Sequence, residues 1–203
     1  MTAAPLTVHI VDDEESLRDS LSFLFASRGI AAKAWPSGEA LLAAWPQRDC
    51  GCLILDVRME GMSGPQFLDA LQALPASPPV PPVIFLTGHA DVPLAVQSLK
   101  AGAFDFVEKP FNDNHIVDIA LAAIETHRVR TAEACAREAV AARRASLSVR
   151  EAEVMTLMLD GYLNKQIADA LGIAMRTVEL HRSRVLAKMA ARNIVDLARM
   201  VGG

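Results

Sequence analysis

The sequence predicts an α/β chain: a doubly wound five-stranded parallel sheet followed by a smaller all-α domain. Three observations predict it. Short apolar runs alternate with helix-patterned stretches up to residue 125, an alanine-rich helical pattern continues from there to about 145, and residues 146–203 carry four short helical patterns with a tight turn between the middle pair. Parallel strands need helical crossovers, so five strand-helix repeats imply an open sheet covered on both faces.

Val8–Val11, Ile30–Trp35, Leu53–Leu55, Val83–Leu86 and Phe104–Val107 are the expected strands, each a short β-rich run bounded by turn residues. Ser16–Ser27, Gly38–Trp45, Pro65–Leu74, Pro93–Ala101 and Asn114–Ile124 are the expected helices, with Leu17, Leu21, Leu24 and Phe25 spaced along one face of the first. The proline-rich stretch Pro75–Pro82 is short and suits a connection better than a recognition ligand. From 112 to 145, Ile116, Ile119, Ala123, Val129, Ala132, Ala136 and Ala139 keep helical spacing, and alanine gives helix propensity with little apolar payload. An exposed linker helix, able to pair weakly with its copy in a dimer, and a flexible tether are both open for this stretch. Ser148-Val-Arg-Glu151 is a capping box and starts a new domain. There Glu151–Asp160, Asn164–Leu171, a turn at Gly172, Met175–Ala191 and Asn193–Val201 suit a helix-turn-helix module. The expected domains are therefore 1–125, a helical linker over 126–145, and 146–203.

The 203 residues suit one large domain or two small ones, and 52% hydrophobic residues supply enough apolar surface for real cores. No apolar run is long enough to span a bilayer and the N-terminus lacks a basic, apolar leader, so a cytoplasmic location is expected. Cys50, Cys52 and Cys135 are too few for a disulfide framework and lack zinc spacing, which leaves small reduced side chains near a core. The net charge of −4 hides an asymmetry. Residues 1–125 carry 7 Lys+Arg against 16 Asp+Glu, 126–145 carry 5 against 2, and 146–203 carry 8 against 6. An acidic first part joined to a basic second part fits a cation-binding or signal-receiving module attached to something that meets a polyanion.

The run Cys52-Leu-Ile-Leu55 has the continuous apolar character of a strand buried on both faces, yet it ends on Asp56. Asp12 and Asp13 follow the first strand, Thr87 the fourth, and Lys109-Pro110 the fifth. In open parallel sheets ligands gather at the carboxyl ends of the strands. Carboxylates converging there repel one another and need a counter-charge. Mg²⁺, a hard ion content with one or two carboxylates, waters and a phosphate, fits, and Lys109 adds a point charge. Each residue alone suits a turn, cap or solvated surface; their joint occurrence at successive strand ends points to a site.

Val11-Asp-Asp-Glu14, Leu55-Asp-Val-Arg-Met59 with Gly61-Met-Ser-Gly64, Leu86-Thr-Gly-His89, Lys100-Ala-Gly-Ala103 and Glu108-Lys-Pro-Phe111 resemble, in order and spacing, the receiver domain of bacterial two-component response regulators. The resemblance covers about residues 7–125 and implies a flavodoxin-like sheet of order 2-1-3-4-5. It implies that Asp56 is the phosphoacceptor, that Asp12, Asp13 and Asp56 with the Arg58 carbonyl organise Mg²⁺, that Thr87 and Lys109 contact phosphoryl oxygens, and that Phe106 is the switch aromatic. Glu60 departs from the pattern, where proline is usual, and bears on how long a phosphoryl group would persist.

In the helix expected from Met175, Val178, Val185 and Met189 share a buried face, while Leu180 lies outward among Arg176, Ser183 and Ala187. An outward leucine can meet a thymine methyl in a major groove, and Glu179 can accept from cytosine; a stray surface leucine is the plainer reading. Leu147-Ser-Val-Arg-Glu151, Asn164-Lys-Gln-Ile-Ala168, Leu171-Gly-Ile173, Thr177-Val178, His181 and Lys188-Met189 resemble the LuxR-type helix-turn-helix, so the whole chain is similar to regulators of the FixJ/NarL type. That resemblance implies DNA contacts by Lys165, Arg176, Thr177, Glu179, Leu180, Ser183, Arg184 and Lys188, of which Lys165, Arg176, Arg184 and Lys188 lie nearer phosphates. Asn193–Val201 resembles the family's dimer helix. The implied partners are a sensor histidine kinase, double-stranded promoter DNA, a second copy on phosphorylation, and RNA polymerase, with no membrane. A dimer neutralising about eight phosphates would give a log–log salt slope of about −7. The expected function is a phosphorylation-activated DNA-binding transcriptional regulator, not an enzyme beyond self-phosphorylation with Mg²⁺ and slow autodephosphorylation. An aspartyl-phosphate phosphohydrolase and a phosphorylation-independent DNA binder are the rival readings.

Overall fold

A computed structural model describes residues 6–47, 49–74, 79–88, 99–100 and 102–202. The chain divides into two compact units, Met1–Ala132 and Glu133–Gly203.

In the first unit, β1 (Thr7–Val11), β2 (Ala32–Trp35), β3 (Cys50–Asp56), β4 (Val83–Thr87) and β5 (Asp105–Glu108) form one sheet in the order β2-β1-β3-β4-β5, with every adjacent pair parallel. All residues of β1, β3 and β4 are buried, whereas β2 and β5, at the edges, are partly exposed. Burial on both faces explains the unbroken apolar runs of the central strands. It also explains why β3 extends beyond Leu53–Leu55 in both directions, flanked by β1 and β4.

Alternate residues feed two cores, one on each face. Val8, Ile10, Ile54, Ile84 and Leu86 meet Leu21 and Phe25 of α1 (Glu15–Ser27), together with Ile116, Val117, Ala120 and Ala123. Val11, Leu53, Leu55 and Phe85 meet Leu41 of α2 (Gly38–Ala43) and Phe67, Leu68 and Leu71 of α3 (Gly64–Gln72). Each of these Val, Leu, Ile and Phe side chains contributes about 1.5–3 kcal/mol on burial. Pro65 in the first turn of α3 lacks an N–H where the helix would leave one unpaired. The pairing of β1 with β3 shifts register between Thr7 and Val8, opposite Cys50 and Cys52. This bulge at Gly51 sends Cys50 into the second core and Cys52 into the first. A Cβ on Gly51 would stand 2.7 Å from Leu6 Cβ. Both thiols are buried and unpaired, as small core side chains.

The helix expected over Pro93–Ala101 lies outside the described residues, apart from Leu99 and Lys100, which are helical. The stretch left open as helix or tether is helical: α4 runs unbroken over Asp113–Ala145. The boundary between the two compact units falls between Ala132 and Glu133, within this helix. Its first turns supply Ile116 to Ala123 to the first unit's core, and Val140 packs against the core of the second.

The second unit holds α5 (Val149–Leu159), α6 (Asn164–Leu171), α7 (Met175–Met189) and α8 (Ile194–Gly202). Its core joins Val154, Met155 and Met158 of α5, Ile167 and Ala168 of α6, Val178, Val185 and Met189 of α7, and Leu197 of α8. The capping box forms as expected: Ser148 Oγ accepts from the Glu151 N–H at 3.2 Å and Glu151 Oε2 accepts from the Ser148 N–H at 2.8 Å. Gly172 closes α6 at φ 62°, the left-handed conformation that ends a helix and opens the tight turn to α7. Among the described residues no helix is long and apolar enough to cross a membrane.

Candidate functional site

The sheet delivers the acidic site by register. Val11 pairs with Leu55, so Asp12, one step on, is level with Asp56; Asp56 pairs with Leu86, and Thr87 pairs with Glu108, which precedes Lys109. Because all strands run the same way, these residues share one sheet edge. The Lys109 N–H donates to the Thr87 carbonyl at 2.8 Å, continuing the ladder past the strand end.

At that edge the Lys109 ammonium is bound to two carboxylates at once, 2.5 Å from Asp56 Oδ1 and 3.1 Å from Asp12 Oδ2. The remaining oxygens accept backbone N–H groups: Asp56 Oδ2 from Arg58 at 2.8 Å and Asp12 Oδ1 from Glu14 at 2.8 Å. Asp12 is 1% exposed and Asp56 8%, so this is a charge cluster largely withdrawn from water. Burial pushes the Asp56 carboxyl up, against the hydrogen bond and charge of Lys109, and the charge of Asp12 adds to the rise. Burial opposes the Lys109 ammonium, but its bonds and charge pairing with Asp56 and Asp12 outweigh that and raise its pKa. The cluster thus sets two buried carboxyl groups against a single ammonium.

Not all of the expected metal set is assembled. Asp13 Oδ2 is turned to the Glu60 N–H at 3.0 Å, and Lys109 occupies the space between Asp12 and Asp56. Among the described residues, no three His, Cys, Asp or Glu side chains stand together as a cation cage. Asp12 and Asp56 are bridged by the Lys109 ammonium, and Asp13 is held against the neighbouring loop. The donor chemistry still fits Mg²⁺: the available oxygens are hard, and a buried carboxylate with raised pKa is under-neutralised.

Thr87 is fully buried, and its hydroxyl donates to the Gly88 carbonyl at 3.1 Å rather than to Asp56. Phe106, paired with Phe85 across β5 and β4, is half-buried against the core that contains α2 and α3. Two contributors escape a reading of motifs. Arg18 Nη1 donates to the Asp12 carbonyl at 2.7 Å, and Glu39 Oε1 accepts from the Met62 N–H at 2.8 Å. Arg18 lies in the first turns of the helix that follows the acidic pair, the one signal of its reach; Glu39 offers none.

In the second unit α7 buries Val178, Val185 and Met189, the face its spacing predicts. Lys165, Arg176, Glu179, Ser183 and Arg184 are exposed, Thr177 is half-buried, and Leu180 is 49% exposed. Met175, 53% exposed at the start of α7, and Leu163, 71% exposed before α6, add apolar surface that the motifs did not flag. Lys188, also exposed, has protein partners. Its ammonium lies 2.6 Å from Glu151 Oε2 and 3.1 Å from the Ser146 carbonyl. The Lys188 bond, with the Ser148 N–H, holds the Glu151 carboxyl down at about 2. Lys188 is thereby tied to the start of α5.

Comparison with known proteins agrees with both halves. The response regulator receiver domain matches residues 8–121, and the luxR family of bacterial regulatory proteins matches residues 145–201. The chain is 82% identical over 194 residues to the C4-dicarboxylate transport transcriptional regulatory protein DctR of Rhodobacter capsulatus, covering 96% of this chain and 98% of that one. It is 46% identical to the transcriptional regulatory protein FixJ of Rhizobium meliloti, covering 96% and 94%. Among solved structures, the response regulator StyR matches with a TM-score of 0.90 at 34% identity over 98% of this chain and 99% of that one. Full-length FixJ from B. japonicum matches with 0.60 at 38% identity, over 98% and 97%. With a receiver-type sheet edge in one unit and an exposed helix-turn-helix in the other, the chain belongs to the response regulators that join a receiver domain to a luxR-family DNA-binding domain, transcriptional regulators whose DNA binding is activated by phosphorylation.

Proposed function

We propose that Asp56 accepts a phosphoryl group from a phosphorylated histidine of a sensor kinase in the cytoplasm, and that the modified chain dimerises and binds promoter DNA. The observation that carries this reading is the Lys109 ammonium held by Asp56 and Asp12 together at the strand ends. A carboxylate oxygen of Asp56 attacks phosphorus in line. The Asp56 O–P bond forms as the donor N–P bond breaks, and the leaving imidazole keeps the electron pair and takes up a proton. Asp12, Asp13, Asp56 and the Arg58 carbonyl would hold Mg²⁺, which supplies positive charge beside the phosphoryl oxygens. Lys109 follows one of those oxygens, and the Thr87 hydroxyl exchanges the Gly88 carbonyl for another. The space that Thr87 leaves lets Phe106 turn further inward, repacking the surface beside β5. Inverting a 1:99 population takes about 5.5 kcal/mol of differential interaction, a scale that a few charge-assisted hydrogen bonds supply. Water later cleaves the mixed anhydride slowly.

On the DNA, Glu179, Leu180 and Ser183 read base edges, Thr177 supports the helix entry, and Lys165, Arg176 and Arg184 meet phosphates, with RNA polymerase as the downstream partner. The near-complete 82% match to a regulator named for C4-dicarboxylate transport supports control of genes for uptake of such acids. The test is selection of bound duplexes from a random pool by wild type and Asp56→Asn, each with and without acetyl phosphate and Mg²⁺. Wild type with the phosphodonor should enrich an inverted repeat at least tenfold over the other three arms. Equal enrichment by Asp56→Asn would overturn the reading.

A further inference from the structure

The loop between β3 and α3 carries the groups that flank Asp56, and its backbone N–H groups must find acceptors. The Arg58 N–H goes to Asp56 Oδ2 at 2.8 Å, the Glu60 N–H to Asp13 Oδ2 at 3.0 Å, and the Gly64 N–H to the Val57 carbonyl at 3.1 Å. The Met62 N–H goes to Glu39 Oε1 at 2.8 Å, from a residue 23 positions earlier. Between them Gly61 has φ +80°, and a Cβ there would stand 2.7 Å from the same Glu39 oxygen. The chain thus turns left-handed on a residue without a side chain at the point where the carboxylate lies against it. Glu39 itself stands in the first turn of α2, where Ser37 Oγ caps the Ala40 N–H at 3.2 Å and a helix start favours a negative charge. Bonds from its own amide, Ser37 and the Met62 N–H hold its carboxyl below the ordinary range.

Two carboxylates therefore grip this loop from outside it, Asp13 and Glu39. They are not equivalent. The Asp13 oxygen that accepts from Glu60 belongs to the acidic set suited to a cation, whereas Glu39 lies outside that set and joins the loop to the start of α2.

We propose that Glu39 is a positioning residue for the phosphoacceptor: by accepting from Met62 it fixes the loop, and so the Arg58 N–H that orients Asp56 and the Arg58 carbonyl beside it. When Asp13 turns towards a cation, Glu39 is an anchor that stays, beside the Gln66 Oε1 that accepts from the Ser63 N–H at 3.0 Å at the loop's end. This inference rests on Asp56 being the phosphoacceptor.

The experiment compares wild type, Glu39→Ala and Glu39→Gln as full chains. It uses amide hydrogen exchange at residues 60–62 without metal, Mg²⁺ titration followed by tryptophan fluorescence, acetyl phosphate labelling by intact mass, and thermal unfolding as a folding control. The Asp12 N–H is bonded to the Trp35 carbonyl at 3.3 Å, which joins that tryptophan's strand to the acidic residues, and calorimetry of the same titration gives the Mg²⁺ midpoint independently of the indole. Glu39→Ala should lose protection at Met62, raise the Mg²⁺ midpoint, and slow labelling at sub-saturating Mg²⁺ by about three- to tenfold, the scale of one net hydrogen bond. Glu39→Gln, which keeps an oxygen acceptor, should recover most of each loss. Labelling of Glu39→Ala at the wild-type rate and midpoint, or Glu39→Gln as slow as Glu39→Ala, overturns the inference and leaves Asp56 as phosphoacceptor. A wild type that takes up no phosphate removes both.

Discussion

His9 stands in the middle of β1 with no side-chain exposure, stacked on Trp35 at a centroid distance of 5.8 Å. Trp35 Nε1 donates to its Nδ1 at 3.1 Å, which leaves the ring proton on Nε2, a buried atom with no hydrogen-bond partner among the described residues and 3.9 Å from Asp49. Burial lowers its pKa to about 4, with the Asp49 charge opposing and Lys33 assisting. The unfolded chain thus binds a proton that the folded one refuses between about pH 6.5 and 4. The stability His9 contributes is complete above 6.5 and lost as pH falls towards 4, up to about 3 kcal/mol. Denaturant midpoints of wild type should fall more steeply across that window than those of His9→Gln, which keeps an acceptor for Trp35 but does not titrate. Parallel curves would exclude His9 as the source. At this scale the acidic site was legible because an apolar run ending on Asp56 is costly without a use. Lys188 was not. Its position in a helix said surface cation, while its partner Glu151 lies 37 residues away, a distance that no local pattern encodes. Glu39 was hidden for the same reason.

Helix ends carry the next level. α6 and α7 both close in the left-handed conformation, at Gly172 with φ 62° and at Ala190 with φ 55°. Glycine adopts it freely, whereas alanine crowds its Cβ against the following carbonyl at a cost of about 1 kcal/mol. Ala190→Gly should therefore stabilise the second unit by about that amount, read as a higher denaturant midpoint; a lower one would mean that the exposed methyl contributes packing. The element types were readable from period and capping signals, and Ser148 with Glu151 marked the start of α5. The bulge at Gly51 and the division of α4 at Ala132 were not readable, because each depends on which neighbour packs where rather than on the strand or helix itself.

For the whole molecule, the exposed cations near the recognition helix set how DNA binding responds to salt. Counting Lys165, Arg176, Lys188 and Arg184 in each copy of a dimer gives about eight phosphates and a slope near −7; with Lys188 tied to Glu151 the count drops to about six and the slope to about −5. Filter binding to a selected duplex across a salt series measures it, and a slope steeper than about −6 would mean that Lys188 leaves Glu151 on the DNA. Two-unit organisation was legible from the switch between alternating and purely helical patterning, and from acidic and basic halves. The bulge in β3 has a last consequence. Cys50 and Cys52 are neighbours but one along the chain, yet they point into opposite faces of the sheet. Burial also keeps both thiols protonated, with Cys52 pushed up to about 12. Two thiols close in sequence are here kept apart by a full layer of backbone, and Cys135 on the exposed surface of α4 is left as the thiol that meets the medium.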